Sequence, residues 1–249
     1  MSDWLFDLGN SRLKFCAWRP GLQFGDMQAA AHASESEMGA LPDEVAGEVA
    51  WVATVASDER RHALLQALRP RFARIGFARS SMRFDGLQVA YPHPERLGID
   101  RFLALLAAER AGIGPVLVVG VGTALTIDLL GREGRHAGGL IAPSPTLMRE
   151  SLHGRSARLP ASGGRRVGFA DDTDDALASG CEGAAIALIR AAMTDAAGRL
   201  GGPPSLWLHG GGAVQLSPAL PSAEYRPALV LQGLADWVGG AAVAPVGGR

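Results

Sequence analysis

Short apolar runs cut by glycine set the rhythm of this chain. Residues 3–8 end at Gly9 and Asn10, and RLKFCAW resumes over 12–18. The pattern predicts strand, tight turn, strand, since Gly and Asn tolerate the positive φ of a hairpin turn. A third strand fits Leu22 to Met27. VAWVATV, at 49–55, is apolar on both faces and short, the signature of a buried strand. Ser57 or Asp58 caps a helix through Leu68, in which Leu64, Leu65 and Leu68 recur at helical spacing. Residues 72–77 give a further strand. A loop with Tyr91, Pro92, His93 and Pro94 leads into a helix over Asp100 to Ala111, striped by Phe102, Leu103, Leu105 and Leu106. Gly112 to Pro115 ends it.

The second half repeats the opening. An apolar strand over 116–121, a turn at Gly122 and Thr123, and a strand over 125–130 precede a third strand over 136–141. A three-strand start used twice predicts two similar α/β halves, 1–112 and 113–249, rather than one doubly wound sheet. A helix over 143–153 and an exposed Arg- and Gly-rich loop over 154–172 follow. Thr173 or Asp174 caps a long helix from Asp175 to Ala197, with Ala178, Cys181, Ala185, Leu188 and Ala192 on one stripe. A strand at 205–209, the turn Gly210, Gly211 and Gly212, and a last helix over 229–239 complete the pattern.

Composition narrows the function. The 249 residues carry 24 basic and 25 acidic side chains, a net charge of −1, so no broad basic field exists for a nucleic-acid backbone or a membrane surface. Cys16 and Cys181 form neither a disulfide framework nor a metal knuckle. The N-terminus carries acid where a signal peptide needs base, and no apolar run reaches the roughly 18 residues of a membrane span. The expectation is a cytoplasmic protein. Nearly every basic residue is Arg, so Lys14, the lone lysine, stands out.

Three places could carry chemistry. Asp7 ends a strand beside Gly9, Asn10, Ser11 and Lys14, a set that suits a nucleotide phosphate chain with Mg²⁺ and equally suits an ordinary turn. GVGTALT, at 120–126, is neither a Walker A loop nor a dinucleotide fingerprint, because strand resumes after it; it reads as a second phosphate-approach turn or a plain hairpin. Asp100, at a helix start after Gly98 and Ile99, reads as a cap or as a general base for a substrate hydroxyl, with Arg101 able to hold an anion bidentately. No two of the six histidines have metal spacing.

Five ordered blocks add a resemblance: DLGNSRLKF (7–15), YPHPERLGIDR (91–101), GVGTALTID (120–128), HAGGLIAPSPTLMRESL (136–152) and DDTDDALASG (171–180). Together they resemble the type III pantothenate kinases, the CoaX-type enzymes of the acetate and sugar kinase, Hsc70 and actin superfamily. The resemblance implies two ribonuclease-H-like domains with a nucleotide cleft, a homodimer, and ATP-dependent phosphorylation of pantothenate. It implies an ATP and Mg²⁺ motif at Asp7, Leu8, Gly9, Asn10, Ser11, Arg12, Leu13 and Lys14, with Thr123 as a second ATP contact. It implies pantothenate contacts at Tyr91, Gly98, Ile99, Asp100, Arg101 and Thr173, with Asp100 as the base. One position departs. The family's second turn begins with Asp, a ligand of an activating K⁺ or NH₄⁺, and Gly120 stands there. The rivals are a related small-molecule kinase and a non-catalytic transcription accessory factor of the same fold.

Overall fold

The computed structural model describes residues 3–19, 25–32, 40–156 and 158–243. The chain forms two compact units. Unit 1 comprises Met1–Gly112, Glu133–His136 and Ala228–Arg249; unit 2 comprises Ile113–Arg132 and Ala137–Pro227. Unit 1 contains β1 (Asp3–Leu8), β2 (Arg12–Trp18), β3 (Gln28–Ala31), β4 (Gly47–Thr54), α1 (Asp58–Leu68), β5 (Phe72–Phe77), the short strands β6 (Arg83–Phe84) and β7 (Leu87–Gln88), and α2 (Ile99–Arg110). Unit 2 adds β8 (Val116–Val121), β9 (Ala124–Leu130), β10 (His136–Pro143, whose first residue belongs to unit 1), α3 (Pro145–Arg155), α4 (Thr173–Leu200), β11 (Ser205–His209), α5 (Ala213–Leu216) and β12 (Ala223–Tyr225). The last helix, α6 (Leu229–Val243), returns to unit 1.

The two main sheets share one topology. Unit 1 is ordered β3-β2-β1-β4-β5 and unit 2 is ordered β10-β9-β8-β11-β12. In each, the first strand pairs antiparallel with the second and parallel with the fourth, and the fourth pairs parallel with the fifth. The doubled strand pattern of the sequence is therefore a doubled fold.

Alternation along the strands sorts the two faces of each sheet. In unit 1, Trp4, Phe6 and Leu8 join Leu13, Phe15, Leu64, Leu68 and Phe72 in one buried cluster. The opposite face carries Leu5, Cys16 and Trp51, which sit side by side in the register. The α6 helix packs there, with Trp237 edge-on to Trp51 at 6.2 Å between centroids. Asp7 and Lys14 lie farther along this second face, directly opposite each other across β1 and β2. In unit 2, Val119, Val121, Leu125, Ile127, Ile189 and Leu208 form the equivalent core under α4.

Several local expectations need correction. The third strand is Gln28–Ala31, not Leu22 to Met27, of which residues 22–24 lie outside the described residues. Neither turn uses a positive φ: among the described non-glycine residues only Asp85 and Glu133 have one, and Gly9 and Gly122 do not. The turns close through backbone bonds instead, Gly9 N–H donating to Arg12 C=O at 3.1 Å and Gly122 N–H to Ala124 C=O at 3.0 Å. The cap of α4 is Asp172, whose carboxylate accepts from Asp175 N–H at 2.9 Å, and the helix begins at Thr173. This 28-residue helix contains an 18-residue stretch of mean hydropathy 1.3, enough to cross a membrane by length and composition alone, where no such run was expected. The same helix packs on β8, β9 and α3 inside unit 2.

Candidate active site

The β1–β2 turn presents Asp7 and Lys14 as a cross-strand pair, the sheet arrangement in which side chains touch most directly. Protein atoms around the Asp7 carboxyl strip it of water and push its pKa up to about 6; the Lys14 ammonium pulls it down and the Asp100 carboxylate pushes it up. The mutual influence of Asp7 and Asp100 matters most here. It means that the strand end and the helix start, 93 positions apart in sequence, bring two carboxyl groups into one field.

Asp100 is not the cap of α2. Gly98 is, with φ −51° and ψ 136°, and it supplies no side chain for the purpose. Asp100 sits in the first turn, and its Oδ1 accepts from Arg101 N–H at 2.9 Å. A Cβ at residue 98 would lie only 2.6 Å from that Oδ1. Glycine at 98 is therefore what lets the carboxylate lie over the helix N-terminus, where the orphan amides favour its charge.

Arg101 is buried, which a charged side chain tolerates only with partners. One Nη donates to the Tyr91 hydroxyl at 3.2 Å, and the guanidinium carbon lies 5.7 Å from the Tyr91 ring centroid. Tyr91 in turn stacks on His136, with centroids 6.0 Å apart and planes at 20°. Ala90 N–H donates to His136 Nδ1 at 3.4 Å. Arg101, Tyr91 and His136 form one continuous stack beside Asp100. His136 was visible in the sequence only as the histidine that opens the HAGG block, and its burial is what marks it.

Unit 2 holds the other expected residues. Thr123 is exposed in the β8–β9 turn. Thr173 opens α4 and borders a shallow pocket of about 530 Å³ with Leu159, Asp171 and Asp172. Gly120 occupies in β8 the place that Asp7 occupies in β1, two residues before the turn glycine and on the same side of the sheet topology. Its register partners are Thr126 on β9 and His209 on β11.

A family model described as type III pantothenate kinase matches residues 4–195. A type III pantothenate kinase from Stenotrophomonas maltophilia strain K279a is 55% identical over 238 residues, covering 95% of this chain and 97% of that one. The chain belongs to the type III pantothenate kinase family. Two solved structures share its fold: a protein assigned to the Baf family of transcriptional activators from Campylobacter jejuni, and one assigned as a 2-dehydro-3-deoxygalactonokinase from Sinorhizobium meliloti. The first has a TM-score of 0.62 at 21% identity, covering 97% of this chain and 100% of that chain. The second has a TM-score of 0.58 at 16% identity, covering 98% and 99%. At these identities the likeness concerns architecture alone: an α/β build of two sheet-containing units. Within the type III pantothenate kinase family the cation carboxylate expected at residue 120 is missing here. Among the described residues no group of three or more His, Cys, Asp or Glu side chains is placed to hold a metal ion by itself.

Proposed function

We infer that this enzyme transfers the γ-phosphoryl group of ATP to the primary hydroxyl of pantothenate, making 4′-phosphopantothenate in the first step of coenzyme A biosynthesis. Membership of the type III pantothenate kinase family supports the reaction, through a family match over residues 4–195 and 55% identity to a curated relative. The observation that carries the residue roles is the shared field of Asp7 and Asp100.

Asp100 is the general base. It takes the hydroxyl proton as the oxygen attacks phosphorus, and phosphoryl transfer asks little covalent work beyond that. Lys14 and the amides of the turn from Leu8 to Leu13, with Gly9, Asn10, Ser11 and Arg12, stabilise phosphate charge where it develops. Arg101, fixed by Tyr91, holds pantothenate in line, with Gly98 and Ile99 beside it. Thr123 is the second nucleotide contact. The donor set fits Mg²⁺. A carboxyl already strained by burial and by a second carboxyl gains from a hard divalent cation, whose other ligands are phosphate oxygens and water. Asp7 would hold the ion, directly or through water, and the ion would neutralise phosphate charge.

ADP release with ATP, Mg²⁺ and pantothenate tests the reaction, and a panel with hexoses and acetate separates it from a related small-molecule kinase. Asp100→Asn should lower kcat by about 10²-fold or more with ATP affinity nearly unchanged. A variant keeping more than about a tenth of the rate removes Asp100 as the base. We further propose a cytoplasmic homodimer. Unit 2 exposes Leu140, Ile141, Leu152 and Phe169, apolar side chains that a second subunit would cover, and light scattering of the purified protein measures the subunit count.

A further inference from the structure

The repeated fold allows one position to be compared with itself. In unit 1 the residue two before the turn glycine is Asp7, flanked in the sheet by Lys14 on one side and the small Ala53 on the other. In unit 2 it is Gly120, flanked by Thr126 and His209. A Cβ built on Gly120 would lie 2.6 Å from Thr126 Oγ1, 2.9 Å from His209 Nε2 and 3.0 Å from His209 Cε1. All three are below van der Waals contact. The imidazole tip and the hydroxyl converge on the volume that a side chain at 120 would take.

The donors at this place do not fit an alkali cation. Such hard cations take several oxygen ligands, charged ones above all, whereas an imidazole nitrogen suits softer transition metals. Gly120 offers no carboxylate, and a nitrogen ring stands where one would reach. No step of the reaction is therefore routed through such an ion.

We propose that His209 takes the place of a monovalent cation beside the β8–β9 turn, so that nucleotide binding and turnover need neither K⁺ nor NH₄⁺. An imidazole N–H presents the positive end of a dipole without a shell of oxygens around it, and His209 stands opposite Gly120, two residues before Gly122. His209 acts as a positioning residue on that turn. This inference rests on the kinase reading above, and its test is built so that the two can fail separately.

MgADP affinity is measured by calorimetry in choline chloride and in KCl at equal ionic strength, alongside pantothenate-dependent ADP release in the same two buffers. The expected result is affinity and rate each within about twofold between buffers, and His209→Ala weakening MgADP by about fivefold or more, with His209→Gln close to wild type. A tenfold or greater gain in affinity or rate with K⁺ overturns the inference. So does His209→Ala binding MgADP as tightly as wild type, or His209→Gln falling as far as His209→Ala, which would make the role one of packing alone. Absence of turnover in both buffers strikes the pantothenate reading, and the calorimetry then still decides the question of the cation.

Discussion

The α2 and α6 helices meet at a glycine, and a single methyl group there should disturb both stability and catalysis. Gly233 is buried in α6, and a Cβ on it would lie 1.9 Å from the Leu103 carbonyl oxygen and 2.5 Å from its carbon. Ordinary contact begins near 3.4 Å, so the backbones must part by about 1.5 Å. The obstacle is main chain, which cannot rotate away as a side chain can. Leu103, Leu106 and Leu234 are all fully buried, so parting the helices loosens their packing. Overpacking costs roughly 1–3 kcal/mol, and a main-chain approach this close puts the site at the upper end, about 3 kcal/mol. Helix propensity favours Ala over Gly by about 1 kcal/mol, which leaves a net loss of about 2 kcal/mol for Gly233→Ala. In a chain of this size that lowers Tm by roughly 4–8 °C. Urea unfolding followed by circular dichroism measures it. Because α2 also carries Asp100 and Arg101, and a misplacement near 1 Å can cost about 10²-fold, kcat should fall along with stability. The matched control is Gly198→Ala in α4, where a Cβ meets nothing within 4 Å; it should gain about 0.5–1 kcal/mol. An unchanged or higher urea midpoint for Gly233→Ala would refute the close-approach argument.

Other substitutions probe the charges. With its pKa raised to about 6, Asp7 is held ionised at pH 7.5 at a cost to the fold. Asp7→Asn should therefore raise the unfolding free energy there by about 1–3 kcal/mol while abolishing turnover, and a destabilised variant would contradict the burial argument. Asp236, in α6, has its pKa raised to about 6, first by burial, with Arg110 opposing and Glu109 and Asp85 adding; its Oδ2 has no hydrogen-bond partner. Since the folded state binds this proton more tightly, its contribution to stability is fullest below about pH 4 and is lost as pH rises through about 6. Asp236→Asn should match wild type near pH 4 and exceed it above pH 6, a divergence that melting curves across that range would reveal. Tyr91→Phe removes the hydroxyl that accepts from Arg101 while keeping the ring on His136, so KM for pantothenate should rise several-fold with kcat less affected.

Much of the frame was legible because the inner strands β1, β4 and β8 are largely apolar on both faces. A six-residue run such as VLVVGV, buried at every position, has no other stable home than the middle of a covered sheet. The pairs β6–β7 and the three-residue β12 escaped notice, since two or three residues carry no period. The turns were located correctly and explained wrongly: Gly9 and Gly122 do not use the left-handed region that their residue type suggested. In the candidate site, the local blocks named Asp7, Lys14 and Asp100, but on residue chemistry alone Asp100 read first as a cap. Only tertiary structure makes Gly98 the cap and sets Asp100 in the field of Asp7. The His136 stack and the crowding of Gly120 by His209 were beyond sequence reasoning, because each joins residues from segments far apart in the chain.

The return of α6 to unit 1 has a consequence for biosynthesis. Trp51 and Phe84 lie against Trp237, and α2 packs along α6, so an apolar face of the first-made sheet waits for a helix made last. While the ribosome is still translating unit 2, residues 113–227 can close on their own core, whereas the amino-terminal sheet stays open along one side. That exposed side is where chaperones would be expected to engage the nascent chain, and release of α6 is the event that completes the earlier half. Nascent chains stalled at residue 227 should accordingly be cut by protease within unit 1 first, and the released full chain should resist.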